Sequence, residues 1–145
     1  EISCSLVGSE MCIRDRNNLT SIKAHEVDLD TIFNNLLTNA FYSIKEKKDK
    51  VNRRLDIKCV VEDDLVHIIF QDTGLGLAEE YKHNPEEIFN SFESSKKDRL
   101  GKQIGTGLGL YIVKSIISEY NNSAIRIVRD IEDGFAIQIT FKKAD

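Results

Sequence analysis

The sequence predicts an α+β fold: a two-layer α/β sandwich in which helices cover one face of a mixed, mostly antiparallel sheet. Three observations predict it. Two segments carry apolar residues at the three- and four-residue steps of a helix. Two others pair alternating strand patterns across short turn signals. Between them, 72–105 is a polar, glycine-bearing stretch, too long for a simple connection. Strands joined by hairpins, each with one apolar face, suit a sheet with helices on one side.

In chain order, residues 1–16 read EISCSLVGSEMCIRDR and show no clean period. The basic residues follow the apolar part and no long apolar stretch is present, so the segment does not read as a signal peptide. It resembles a translated sequencing-adapter fragment. It is set aside as a non-native or disordered segment, leaving 17–145 as one domain whose parent protein continues upstream.

A short strand is expected over 21–24. Asp28 or Asp30 then caps a helix whose stripe is Leu29, Ile32, Phe33, Leu36, Leu37, Ala40, Phe41 and Ile44. Lys45, Lys47, Lys48 and Lys50 alternate with acids, the pattern of a solvated helix end. Leu55, Ile57, Cys59 and Val61 alternate along one strand, which makes Cys59 a buried structural thiol. Asp63-Asp64 turns the chain into Val66, Ile68 and Phe70. A helical piece is expected near 86–92, and a second helix over 107–120 with Leu110, Val113, Ile116, Ile117 and Tyr120 inward. A hairpin closes the chain: 124–129, a turn at Asp133-Gly134, then Phe135, Ile137, Ile139 and Phe141.

Composition excludes several classes. The 145 residues fit one domain, and a net charge of -4 offers no basic surface for nucleic acid or anionic lipid. No apolar run approaches the roughly 20 residues of a membrane helix. The three cysteines lack metal-ligand or disulfide spacing, as expected in a reducing, cytoplasmic setting.

Three motifs carry chemistry. Asn35 and Asn39 lie one turn apart on the first helix, at the rim of its apolar stripe, with both amides aimed at a common point. An amide oxygen is a hard neutral ligand suited to Mg²⁺ that also binds phosphate. Asp72-Thr73-Gly74-Leu75-Gly76 follows a strand. Its carboxylate can accept from an exocyclic amine, and its glycines let the backbone approach a flat ring. Gly105-Thr106-Gly107-Leu108-Gly109-Leu110 runs into a helix, where free N–H groups favour phosphate. Taken singly, each also fits an ordinary polar rim, turn or helix start. The glycine spacing is not a Rossmann fingerprint, and no Gly-Lys-Ser/Thr of a P-loop follows.

In this order and spacing the motifs resemble the histidine kinase ATPases, whose Bergerat fold is shared with type II topoisomerase, Hsp90 and mismatch-repair ATPases. Asn35-Leu-Leu-Thr-Asn39-Ala40 is similar to the family's N box, Asp72 to Gly76 to its G1 box, and Gly105 to Leu110 to its G2 box. Ile88-Phe89-Asn-Ser-Phe92-Glu-Ser-Ser-Lys96 is similar to its F box. The resemblance implies Mg-ATP as ligand. Asp72 then binds the adenine amine, Asn39 ligates Mg²⁺ with the help of Asn35, and Phe92 anchors a mobile lid. Lys96 and the backbone at Gly107, Leu108 and Gly109 hold phosphates. Tyr42 stands where many members carry Lys or Arg, which is closer to the nitrogen-regulator type. Phe135 and Ala136 replace a threonine common on the last strand.

The resemblance further implies a domain that passes the γ-phosphoryl of ATP to a histidine on an upstream helical hairpin. A response regulator then acts indirectly, and this piece is monomeric without membrane contact. Two other readings are an ATP-hydrolysing clamp and a nucleotide-binding module without kinase activity. Hydrolysing relatives, and anti-sigma-factor serine kinases, use a Glu where Asn35 stands, and Asn cannot act as a base. His25, His67 and His83 suggest no catalytic partner; the acceptor histidine is expected upstream.

Overall fold

A computed structural model describes residues 3–7, 10–15, 18–48, 53–92 and 107–144, with side chains from Thr20 onward in those ranges. Three strands open the chain: β1 (Ser3–Val7), β2 (Glu10–Asp15) and β3 (Asn18–Lys23), paired antiparallel in that order. The sequence reading gave no strand before residue 21. The alternation in 1–16 is too broken by charged and small residues to mark one face, so pairing with β3 is not visible locally.

The helix α1 (Glu26–Glu46) follows. Its N-cap is His25, which makes no side-chain capping bond, rather than Asp28 or Asp30. Asp28 lies in the first turn and accepts instead from the Tyr120 hydroxyl. The His25 backbone N–H donates to the same hydroxyl at 3.0 Å. At the other end, the Arg53 guanidinium donates to the carbonyls of Lys45 and Lys47 at 3.2 Å, a cation closing the negative end of the helix.

The hairpin β4 (Leu55–Glu62) and β5 (Leu65–Asp72) turns at Asp63-Asp64, with Asp63 at φ 53, a left-handed position Asp tolerates. Two short 3-10 turns, Glu79–Tyr81 and Pro85–Phe89, follow, the second where the helical piece was expected. Then come α2 (Gly109–Ser118), β6 (Ala124–Ile127) and β7 (Phe135–Lys142). The second sheet runs β4-β5-β7-β6. Its pairings are all antiparallel, so among the described strands there is no parallel pair of the kind a mixed sheet implies.

Both helices lie on one face of this sheet. Val66, Ile68, Phe70, Ile137, Ile139 and Phe141 face Leu29, Ile32, Val113 and Ile117 across a continuous core. β7 is buried along most of its length, whereas β5, also internal, alternates between buried and half-buried positions. β4 differs from expectation. It is an edge strand beyond the reach of the helices, so Ile57 and Val61 are 37% and 41% exposed and Cys59 is half-buried rather than buried. Among the described residues no helix is long and apolar enough to cross a membrane.

Candidate functional site

A cavity of about 420 Å³ opens between α1, the inner face of β5 and β7, and the start of α2. Asn35, Asn39, Tyr42 and Ser43 line it from α1, with Phe70 and Asp72 from β5 and Phe135 and Ile137 from β7. Gly76 to Ala78, Tyr81 and Ile88 close one side, and Gly107, Gly109 and Leu110 the other.

Asp72 is the buried charge of the cavity, 4% exposed at the end of β5. Burial raises its carboxyl above the ordinary carboxylate range. Donation from the Gly74 N–H at 2.8 Å and from the Ser43 hydroxyl opposes that shift. The neighbouring Asp133 carboxylate adds to it and Lys47 offsets it.

The Asp72–Gly76 loop lies directly on α1. A Cβ on Gly74 would fall 2.2 Å from Ser43 Oγ and 2.5 Å from the Ser43 carbonyl carbon. The Leu75 N–H donates to Ser43 Oγ at 2.8 Å. Gly74 therefore permits close seating and does not itself line the cavity. Gly134, at φ +79, leaves only 1.8 Å between an ideal Cβ and the Asp72 carbonyl oxygen, which presses the β6–β7 connection against the same loop.

At the other end, Asn35 Nδ2 donates to the Thr31 carbonyl at 2.8 Å, which fixes the amide and turns Oδ1 towards α2. A Cβ on Gly109 would lie 2.7 Å from that oxygen. Asn35, Asn39, Gly107 and Gly109 thus line the same cavity. Their donor set is two amide oxygens beside a helix N-terminus, which fits a divalent cation shared with phosphate oxygens. Among the described residues no three His, Cys, Asp or Glu side chains cluster as a metal site by themselves.

Other predicted positions fall differently. Leu108 is the N-cap of α2 and Phe92 is 71% exposed; neither lines the cavity. The Phe92 backbone lies beside Gly107, whose ideal Cβ would sit 2.4 Å from the Phe92 carbonyl carbon. Lys96, Gly105 and Thr106 lie outside the described residues. His25, His67 and His83 are absent from the lining.

The sequence reading missed Ser43, Tyr81 and Lys47. Lys47 was read as part of a solvated helix end, yet its ammonium is 2.8 Å from the Thr73 carbonyl and 2.7 Å from Asp133 Oδ2. Nothing local marks it, because both partners are remote in sequence.

One cavity thus gathers a buried carboxylate, paired amides and a glycine-opened helix start on an α+β fold. Residues 24–145 match the family described as histidine kinase-, DNA gyrase B-, and HSP90-like ATPase, and the chain belongs to that family. Histidine protein kinase SaeS of Staphylococcus aureus (strain USA300) is 30% identical over 131 residues, covering 89% of this chain and 35% of that protein. The same kinase from strain bovine RF122 / ET3-1 is 31% identical over 123 residues, 83% of this chain and 32% of that protein. The chain thus spans about a third of the length of these relatives.

Solved structures agree on the fold. A mycobacterial sensor histidine kinase, MprB, superposes with a TM-score of 0.66 at 22% identity, over 86% of this chain and 76% of that one. The catalytic domain of histidine kinase ThkA, in a nucleotide-free form, gives 0.66 at 24% identity, over 88% and 74%.

Proposed function

We propose that this domain binds Mg-ATP in the cavity and donates its γ-phosphoryl group to a histidine on a separate helical-hairpin domain, as the catalytic part of a cytoplasmic two-component kinase. The observation that carries the reading is the presence of Asp72 and the Asn35–Asn39 pair in the lining of one cavity. The adenine 6-amino group donates to Asp72, and the base lies between the α1 and β7 walls, against Phe70, Phe135 and Ile137. The phosphates reach the start of α2, where N–H groups and the helix dipole favour anions.

Asn39 and Asn35 would hold Mg²⁺, which supplies charge neutralisation on the phosphate oxygens when bound. Phe92 and Lys96 belong to the lid in this reading, with Lys96 on phosphate. The imidazole nitrogen of the acceptor attacks phosphorus, the bond to the β-phosphate oxygen breaks, and ADP leaves. This chain's residues position and neutralise; none needs to take a proton. A hydrolytic clamp is disfavoured by Asn35, whose amide is committed to Thr31 and is no base. The working unit is 17–145, with 1–16 given no part in it; a response regulator would receive the phosphoryl group later.

The test is calorimetric titration of ADP and ATP into the chain, with and without Mg²⁺. Micromolar binding is expected to be lost in Asp72→Asn, and its Mg²⁺ dependence lost in Asn39→Ala. A folded chain that binds neither nucleotide refutes the reading.

A further inference from the structure

The C-terminus of α1, the Asp72–Gly76 loop and the β6–β7 connection meet at one ammonium group. Lys47 lies just past the end of α1 with its side chain only 20% exposed. It donates to the carbonyl of Thr73, the residue after Asp72, and pairs with Asp133, the residue before Gly134. Thr73 is held from its other side by the residue that precedes β4, its N–H donating to the Arg54 carbonyl at 3.0 Å and its hydroxyl accepting from the Arg54 N–H at 2.9 Å. Gly134 in turn packs on the Asp72 carbonyl oxygen. Two carboxylates, one of them buried, therefore share a neighbourhood with the half-buried Lys47 ammonium.

We propose that Lys47 is a positioning residue for the adenine site: it ties the Asp72 loop to α1 and to the β6–β7 connection, and its charge offsets that of Asp133 so that Asp72 accepts a hydrogen bond from the base. The inference rests on the reading of Asp72 as the adenine acceptor. The Asp133 carboxylate acts unfavourably on Asp72, and Lys47 acts favourably on both. Without Lys47, Asp133 adds its charge to that of a carboxylate already burdened by burial. Asp72 then holds a proton more readily and turns from acceptor to donor. An adenine 6-amino group needs the acceptor. A hypoxanthine base carries a carbonyl at the same place and needs the donor. The ratio of ADP to IDP affinity therefore reads the state of Asp72 separately from general damage to the pocket.

The experiment measures ADP and IDP binding to the chain by calorimetry, with thermal melts as the folding control. Lys47→Arg keeps charge and donor and should keep the wild-type ratio. Lys47→Gln keeps a donor for Thr73 without charge, and Lys47→Met keeps neither. Both should lower the ratio about two- to fivefold, the scale of a charge contact with a solvent-exposed partner. Adding Asp133→Asn to Lys47→Gln should restore the ratio, and Asp133→Asn alone should preserve it.

Folded Lys47→Gln and Lys47→Met proteins with the wild-type ratio would overturn the proposal. So would a ratio that falls equally in Asp133→Asn, since the ion pair's geometry and not its charge balance would then be responsible. If Lys47→Met does not melt cooperatively, Lys47→Gln with and without Asp133→Asn decides alone. Asp72→Asn stands apart: retention of the full ratio there removes the adenine reading itself, whatever the Lys47 variants do.

Discussion

Gly74→Ala tests how tightly the nucleotide loop is seated on α1. The new methyl would lie 2.2 Å from Ser43 Oγ, 2.5 Å from the Ser43 carbonyl carbon and 2.7 Å from the Ile44 nitrogen. Carbon atoms in contact prefer about 3.5 Å or more, so the loop or the helix must retreat by about 1 Å. Two of the three atoms are helix backbone and cannot rotate away. Overpacking of this kind costs about 1–3 kcal/mol, and the rigid neighbours place this case near the upper value. For a domain of this size about 3 kcal/mol lowers the melting temperature by roughly 6–12 °C. The retreat also stretches the Leu75 N–H bond to Ser43 Oγ and shifts the Asp72 carboxylate. Loss of a hydrogen bond to a charged group, about 1.5–3 kcal/mol, corresponds to roughly 10–100-fold weaker ADP binding. Melts followed by calorimetry provide the assay. Adding Ser43→Ala should not rescue, because the helix backbone contacts remain. Wild-type melting and affinity in Gly74→Ala, or full rescue by Ser43→Ala, would refute the argument.

Gly109→Ala is expected to push the Asn35 amide aside while leaving the melt nearly unchanged, since Oδ1 belongs to a side chain that can turn. Calorimetry should show the same weakened Mg-nucleotide binding as Asn35→Ala. Gly107→Ala should be far more disruptive by melting, because φ is +66 and its Cβ meets Phe92 backbone at 2.4 Å. Asp72→Asn should raise the melting temperature of the nucleotide-free domain at neutral pH. The folded carboxyl titrates above its unfolded value, so its charge opposes folding most fully above the folded pKa, and the penalty fades as pH falls through that value. Melts across a pH series check this: the gain over wild type should shrink towards acid, whereas ADP affinity of wild type should fall over the same interval. Tyr120→Phe removes the hydroxyl shared by Asp28 and the His25 N–H, and should cost about 1–2 kcal/mol by denaturant unfolding without changing ADP affinity at saturating Mg²⁺.

The helices, the hairpins and both turns were legible because their signals are local: the Leu29–Ile44 stripe, the alternation from Val66 to Phe70, and Asp133-Gly134. The strand partners were less so. β5 lies between β4 and β7, and residues 65–72 carry no mark of their pairing with 135–142. The same distinction divides the candidate site. Asn35, Asn39, Asp72 and the glycines of 107–109 stand in motifs whose spacing is fixed by one element each. Ser43 and Lys47 work by reaching across 32 and 26 residues to the Asp72 loop, and a serine or lysine near a helix end has no distinctive pattern. The exposure of β4 was misjudged for a related reason. Alternation reports two faces, but not whether a helix lies over either of them.

The far end of α2 is tied to the start of α1. Beyond its last turn, Tyr120 is bolted to Asp28 and to the His25 N–H, and the Ser123 hydroxyl donates to the Tyr120 carbonyl at 2.6 Å. Its first turn rests on glycine and on contacts with Asn35. Between the two ends, Val113 and Ile117 are fully buried in the core shared with α1 and the sheet. The start of α2 thus lies about 15 Å, the length of a ten-residue helix, from the tyrosine that ties its far end to α1.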